Sequence, residues 1–177
     1  MRTVWNGFKI AFSMFSRIPM PNADWNDKNM RYAFCFFPLV GVVIAAAGYG
    51  IMYLFEFLAF SPLFTAVVIT IIPVLITGGI HLDGFCDTSD ALSSHQPREK
   101  KLEILKDSHS GAFAVISCAV YFVLYYGAAT QLTSSLYAVF SCIFIAARAL
   151  SAFSIVHISP AKEGLVLCSV TQRKKLR

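Results

Sequence analysis

Asp83, Asp87 and Asp90 stand four and then three residues apart. On a helix that spacing gathers their carboxylates within an arc of roughly 60°. Like charges so placed repel each other unless something cationic sits over them. Carboxylate oxygens suit a hard divalent cation, Mg²⁺ or Mn²⁺, shared with waters and substrate phosphates. No lysine or arginine is interleaved at ion-pair spacing, which favours a metal over the competing reading, a solvated acidic face. Asp107 follows a short basic stretch and could complete the set. The same polar island, Gly78 to Gly111, carries His81, His95 and His109 between two oily segments. It reads as chemistry on a charged substrate at a membrane surface.

The elements that must hold this island are apolar. Of 177 residues, 56% are hydrophobic and 14% charged, with mean hydropathy +0.62. Soluble domains carry about a quarter charged residues. The chain therefore reads as all-α, a polytopic transmembrane helix bundle forming one integral membrane domain over 1–177. Four spans are expected, roughly 34–58, 63–80, 112–129 and 136–158, each near the ~30 Å of a hydrocarbon layer. Small residues at Gly41, Ala45, Ala46, Gly48 and Gly50 favour close helix packing in the first. Pro73 predicts a kink in the second. Residues 1–20 are too interrupted to span and lack a signal-peptide cleavage site, so they read as an interfacial amphipathic helix, with 22–31 a polar connector. An acidic helix over the aspartates and a short helix from Arg98 to Lys106 make up the loop 81–111. Cys35, Cys86, Cys118, Cys142 and Cys168 form no CxxC pair and read as small buried hydrophobes.

Basic residues set an orientation. Arg2, Lys9, Arg17, Lys28 and Arg31 precede the first span. Arg98, Lys100, Lys101 and Lys106 lie between the second and third, and Lys162, Arg173, Lys174, Lys175 and Arg177 follow the fourth. The turns at 59–62 and 130–135 hold none. The positive-inside rule then puts the N-terminus, the 81–111 loop and the C-terminus in the cytoplasm. Arg148 is the lone basic residue inside a span. It reads either as a substrate-phosphate binder or as a structural partner of Glu56 or a backbone carbonyl.

His81-Leu82-Asp83-Gly84 through Asp87-Thr88-Ser89-Asp90, then Leu102-Glu103-Ile104-Leu105-Lys106-Asp107-Ser108 and Gly111, resembles the cobalamin synthase family. Phe15-Ser16-Arg17-Ile18-Pro19, Phe37-Pro38-Leu39-Val40-Gly41 and Pro160-Ala161-Lys162-Glu163-Gly164-Leu165 resemble flanking signatures of that family, in order. The resemblance implies a membrane transferase, adenosylcobinamide-GDP ribazoletransferase, in the bacterial plasma (inner) membrane. It implies that α-ribazole or its 5′-phosphate displaces GMP from adenosylcobinamide-GDP. Asp83, Asp87, Asp90 and Asp107 would then be catalytic and hold Mg²⁺ or Mn²⁺. His81, Arg98, Lys106, Ser108 and Arg148 would bind substrate, and Asp90, His81 or His109 would take the hydroxyl proton. The implied partners are the corrinoid nucleotide, α-ribazole and membrane lipid, with no nucleic acid; a homo-oligomer stays open. Members of the family continue with further apolar helices, so the resemblance also implies a C-terminally shortened chain. Two alternatives stand beside it. CDP-alcohol phosphotransferases also begin an aspartate cluster with Asp-Gly, but follow it with an Ala-Arg that Asp83-Gly84-Phe85-Cys86-Asp87 lacks. A divalent-cation transporter would place acids at mid-membrane, where only Glu56 comes near.

Overall fold

The computed structural model describes residues 2–107 and 109–157, and among them the only regular secondary structure is helix. Ser108, the Pro160–Leu165 signature, Cys168 and the basic residues beyond the fourth span lie outside the described residues.

The first helix, α1 (Arg2–Phe15), packs along the next, α2 (Asp27–Phe57). Ile10, Ala11 and Ala33 are buried where they meet. Lys9 is buried too, its Nζ donating to the Asn22 carbonyl at 2.6 Å. The connector from Asn22 is shorter than the charge pattern predicts. Asn26 accepts from the Asn29 N–H at 2.8 Å and starts α2 at Asp27, upstream of Phe34. At 31 residues, α2 is the spine of the bundle, with α1 and three of the later helices against it.

Ser61 caps α3 (Pro62–Thr77). Pro73 has no N–H to give the Ile69 carbonyl, and Tyr125 donates its hydroxyl to that carbonyl at 3.4 Å. The chain then turns into α4 (Ile80–Ser93), followed by the short α5 (Arg98–Ile104) and by α6 (Ala112–Ala129). The fourth apolar stretch is two helices, α7 (Ser134–Phe140) and α8 (Cys142–His157), with a tightened turn at Ser141. Together they are long and apolar enough to cross a membrane, as are α2 and α6. The bent pair α3–α4 makes a fourth candidate.

Val40, Ile44, Ile69, Ile72 and Tyr137 form the core between α2, α3 and α7. The small residues divide by neighbour. A Cβ on Gly41 would come within 2.5 Å of the Phe144 carbonyl on α8, and one on Gly48 would overlap the Tyr137 hydroxyl. Gly50 meets nothing within 4 Å. The cysteines depart from the expected burial. Cys35 and Cys142 are exposed on the outside of the bundle, and Cys86 and Cys118 are half-buried at the α4–α6 contact. Apolar faces that meet lipid have no need to be inside the protein. Glu56 lies at the end of α2, accepting a hydrogen bond from Ser134 Oγ.

Candidate functional site

The acidic island hangs on a pair of glycines. Gly78 and Gly79 have φ of +69° and +82°, a region that costs other residues strain. Two such residues in succession turn α4 by 93° from α3. The side chain of Arg17 lies over the bend, so a Cβ on Gly78 would come within 2.7 Å of Arg17 Cγ. The Arg17 N–H donates to the Ile76 carbonyl at 2.8 Å. The Phe15 ring stacks on Phe37 at 4.1 Å, and both rings face His81, at 6.1 and 5.4 Å. Three stretches that are distant in sequence, 15–19, 37–41 and 78–90, thus meet at one corner. Arg17 belongs to this corner though its residue type alone marked it as a flanking charge; its place in the Ser-Arg-Ile-Pro signature was the available signal.

Asp83 lies in the first turn of α4, where the helix dipole favours a negative charge. It is exposed, and Asp87 one turn on is half-buried. Among the described residues neither has an ion-pair partner. Asp90 is engaged elsewhere. Its two oxygens accept from the N–H groups of Gly111 at 2.5 Å and Ala114 at 2.8 Å, capping α6 from a different helix. A side chain at Gly111 would collide with that carboxylate. Asp107 accepts from both the N–H and the Nδ1 of His109, at 3.0 and 2.7 Å. The ring hydrogen bond first, and the backbone one second, hold its carboxyl below the ordinary range. Arg98 opens α5 and Lys106 follows its end, both exposed.

Among the described residues, no three His, Cys, Asp or Glu side chains stand close enough together to hold a metal ion. Asp90 is drawn to α6 and Asp107 to His109. What remains is Asp83 and Asp87, one helical turn apart. That pair fits the habit of Mg²⁺, which takes one or two carboxylates and completes its shell with water and substrate phosphate.

Behind α4 lies a cavity of about 600 Å³ between α2, α3, α4, α6 and α8. His81 stands on its wall, and Arg148 reaches it from α8. Arg148 is buried and donates Nη1 to the Phe144 carbonyl at 2.9 Å. Of the structural partners open to it from sequence, the backbone carbonyl is the one it takes.

Fold and site together define a polytopic helical membrane protein with an acidic helix bent across one end of its bundle. The chain belongs to the cobalamin-5-phosphate synthase family, whose model matches residues 7–176. An adenosylcobinamide-GDP ribazoletransferase of Lachnoclostridium phytofermentans is 47% identical over 162 residues, which is 91% of this chain and 62% of the relative. One of Clostridium botulinum (strain Eklund 17B) is 38% identical over 72% of this chain and 51% of its own length. One of Clostridium perfringens (strain 13) is 36% identical over 88% and 63%. The chain thus spans between half and two thirds of the length of these relatives. No solved structure matches it.

Proposed function

We propose that this chain carries the reaction site of an adenosylcobinamide-GDP ribazoletransferase, joining adenosylcobinamide-GDP to α-ribazole or its 5′-phosphate with release of GMP. The observation that carries the reading is the corner where the 15–19, 37–41 and 78–90 stretches meet. It sets His81, Asp83 and Asp87 beside a cavity that holds a buried arginine.

Attack of a ribose hydroxyl on a diphosphate phosphorus is governed by positioning and charge neutralisation. A bound Mg²⁺, or Mn²⁺ in its place, would supply that neutralisation. Asp83 and Asp87 would hold it. Asp90 fixes α4 against α6 and so keeps those two carboxylates in register. Arg98, Lys106 and Ser108 would steer and bind the nucleotide end of the donor, and Asp107 would close the acidic side. His81, at the cavity wall two residues before Asp83, takes the proton from the attacking hydroxyl. The loop 81–111 and the N-terminus face the cytoplasmic side of a bacterial plasma membrane, a reading supported by the basic residues that flank the spans; lipid surrounds the spans.

Turnover of adenosylcobinamide-GDP with α-ribazole, measured in nanodiscs, tests this. Activity should require Mg²⁺ and vanish in EDTA. Asp83→Asn and Asp87→Asn should each reduce it at least 100-fold, on the order of one lost charged contact in the transition state. Glu99→Gln should leave it largely intact. Equal losses from all three substitutions, or full activity in EDTA, would rule out a discrete metal site.

A further inference from the structure

Cys86 of α4 meets α6 at the contact that Asp90 caps. Ala114 is buried at that contact and is held twice from α4. Its N–H donates to Asp90 Oδ1 at 2.8 Å, and its carbonyl accepts from the Cys86 thiol at 3.9 Å. In a helix the carbonyl of residue 114 lies level with residue 118, whose N–H it accepts from. Side chains lean back toward the helix N-terminus, so the Cys118 thiol leans toward the same carbonyl. The two sulfurs converge there and interact directly. Both residues are half-buried, whereas Cys35 and Cys142 are exposed.

A single buried cysteine is a small hydrophobe. Two that meet across a helix contact have a second chemistry, because packed helices bring them within bonding reach. Helix axes in contact lie about 8–10 Å apart, with each Cα about 2.3 Å off its axis. Facing Cα atoms then stand about 3.5–5.5 Å apart, which overlaps the range of about 4.4–6.8 Å that a disulfide needs. Cys86 also lies immediately before Asp87 and one helical turn after Asp83. Drawing Cys86 onto α6 therefore turns the helix that carries both carboxylates.

We propose that Cys86 and Cys118 form a reversible disulfide that ties α4 to α6 and turns Asp83 and Asp87 away from their substrate. The oxidant is a low-molecular-weight disulfide such as oxidised glutathione. The Cys86 thiolate attacks one of its sulfurs, which releases one reduced thiol and leaves a mixed disulfide on Cys86. The Cys118 thiolate then attacks the Cys86 sulfur and releases the second reduced thiol. The two cysteines lose two protons and two electrons, and the small disulfide gains both. On the cytoplasmic side such a bond is transient and redox-sensing rather than a permanent staple. What the oxidation stops rests on the proposed function; the bond itself does not.

The test equilibrates the protein in phosphatidylcholine nanodiscs with graded ratios of oxidised to reduced glutathione. Peptide mass spectrometry without reductant should find Cys86 joined to Cys118, while the exposed Cys35 and Cys142 carry glutathione or stay free. Amide exchange over residues 84–90 should slow on oxidation. Turnover should fall at least about 10-fold, since a misplacement near 1 Å can cost about 100-fold, and dithiothreitol should restore it. Cys86→Ser and Cys118→Ser should each keep their turnover under the same oxidation. Cys86 and Cys118 unjoined at every ratio overturns the proposal without reference to any variant. So does a joined protein that turns over at the reduced rate, or a loss on oxidation that survives in both serine variants. If the reduced protein does not turn over at all, the proposed function fails, and the linkage and exchange measurements decide the disulfide on their own.

Discussion

Asp90 spends both oxygens on the backbone of a neighbouring helix, and this determines how its loss would register. Removing an N-cap carboxylate costs about 0.5–2 kcal/mol. Asp90→Ala should lower the melting temperature in detergent and speed amide exchange at Gly111 and Ala114, the two donors it satisfies. Asp83→Ala should do neither, since its carboxylate is exposed. Unchanged exchange at Ala114 in the Asp90 variant would remove the capping role. Spacing placed the three aspartates on one face of a helix, and α4 is that helix. What spacing could not tell is which neighbour each would meet, because α6 reaches Asp90 from 21 residues away in sequence. The same limit hid Arg17, whose contact with Gly78 exists only once α1 and α3 have folded together.

At the scale of elements, packing distance matters more than composition. A Cβ at Gly41 would press on the Phe144 backbone, which cannot rotate away, whereas Gly50 faces open space. Gly41→Ala should destabilise the α2–α8 contact by about 1–3 kcal/mol, the usual cost of overpacking. Gly50→Ala should be neutral or slightly stabilising through helix propensity. Thermal unfolding of the two variants side by side checks this, and equal shifts would mean that α2 and α8 do not depend on close approach. The helix over 112–129 was legible, since an unbroken apolar run between Gly111 and a polar turn leaves little choice. The start of α2 was not, because Asp27, Lys28 and Arg31 read as connector and the Asn26 cap outweighs them. The break at Ser141 carries no glycine or proline to announce it.

For the whole molecule, the pattern of charge and apolar length was readable in advance, while the 93° turn was visible only as a Gly-Gly pair without an angle. Orientation is testable directly. Ser94→Cys, in a background stripped of the five native cysteines, should resist an impermeant maleimide applied to intact cells and react after lysis. Labelling from outside would invert the topology. The turn has a last consequence. At 16 residues, α3 is about 24 Å long, shorter than a typical hydrocarbon layer of about 30 Å. A helix that stops short pulls its end inward or thins the lipid around it, and either response strains against long tails. Turnover should therefore follow acyl chain length, fastest in phosphatidylcholines with fourteen-carbon tails and slowing through to about twenty-two carbons. A flat profile would mean that the corner at Gly78 stands clear of the lipid tails. A falling one would make tail length in the host membrane a control on when Asp83 and Asp87 can meet their substrate.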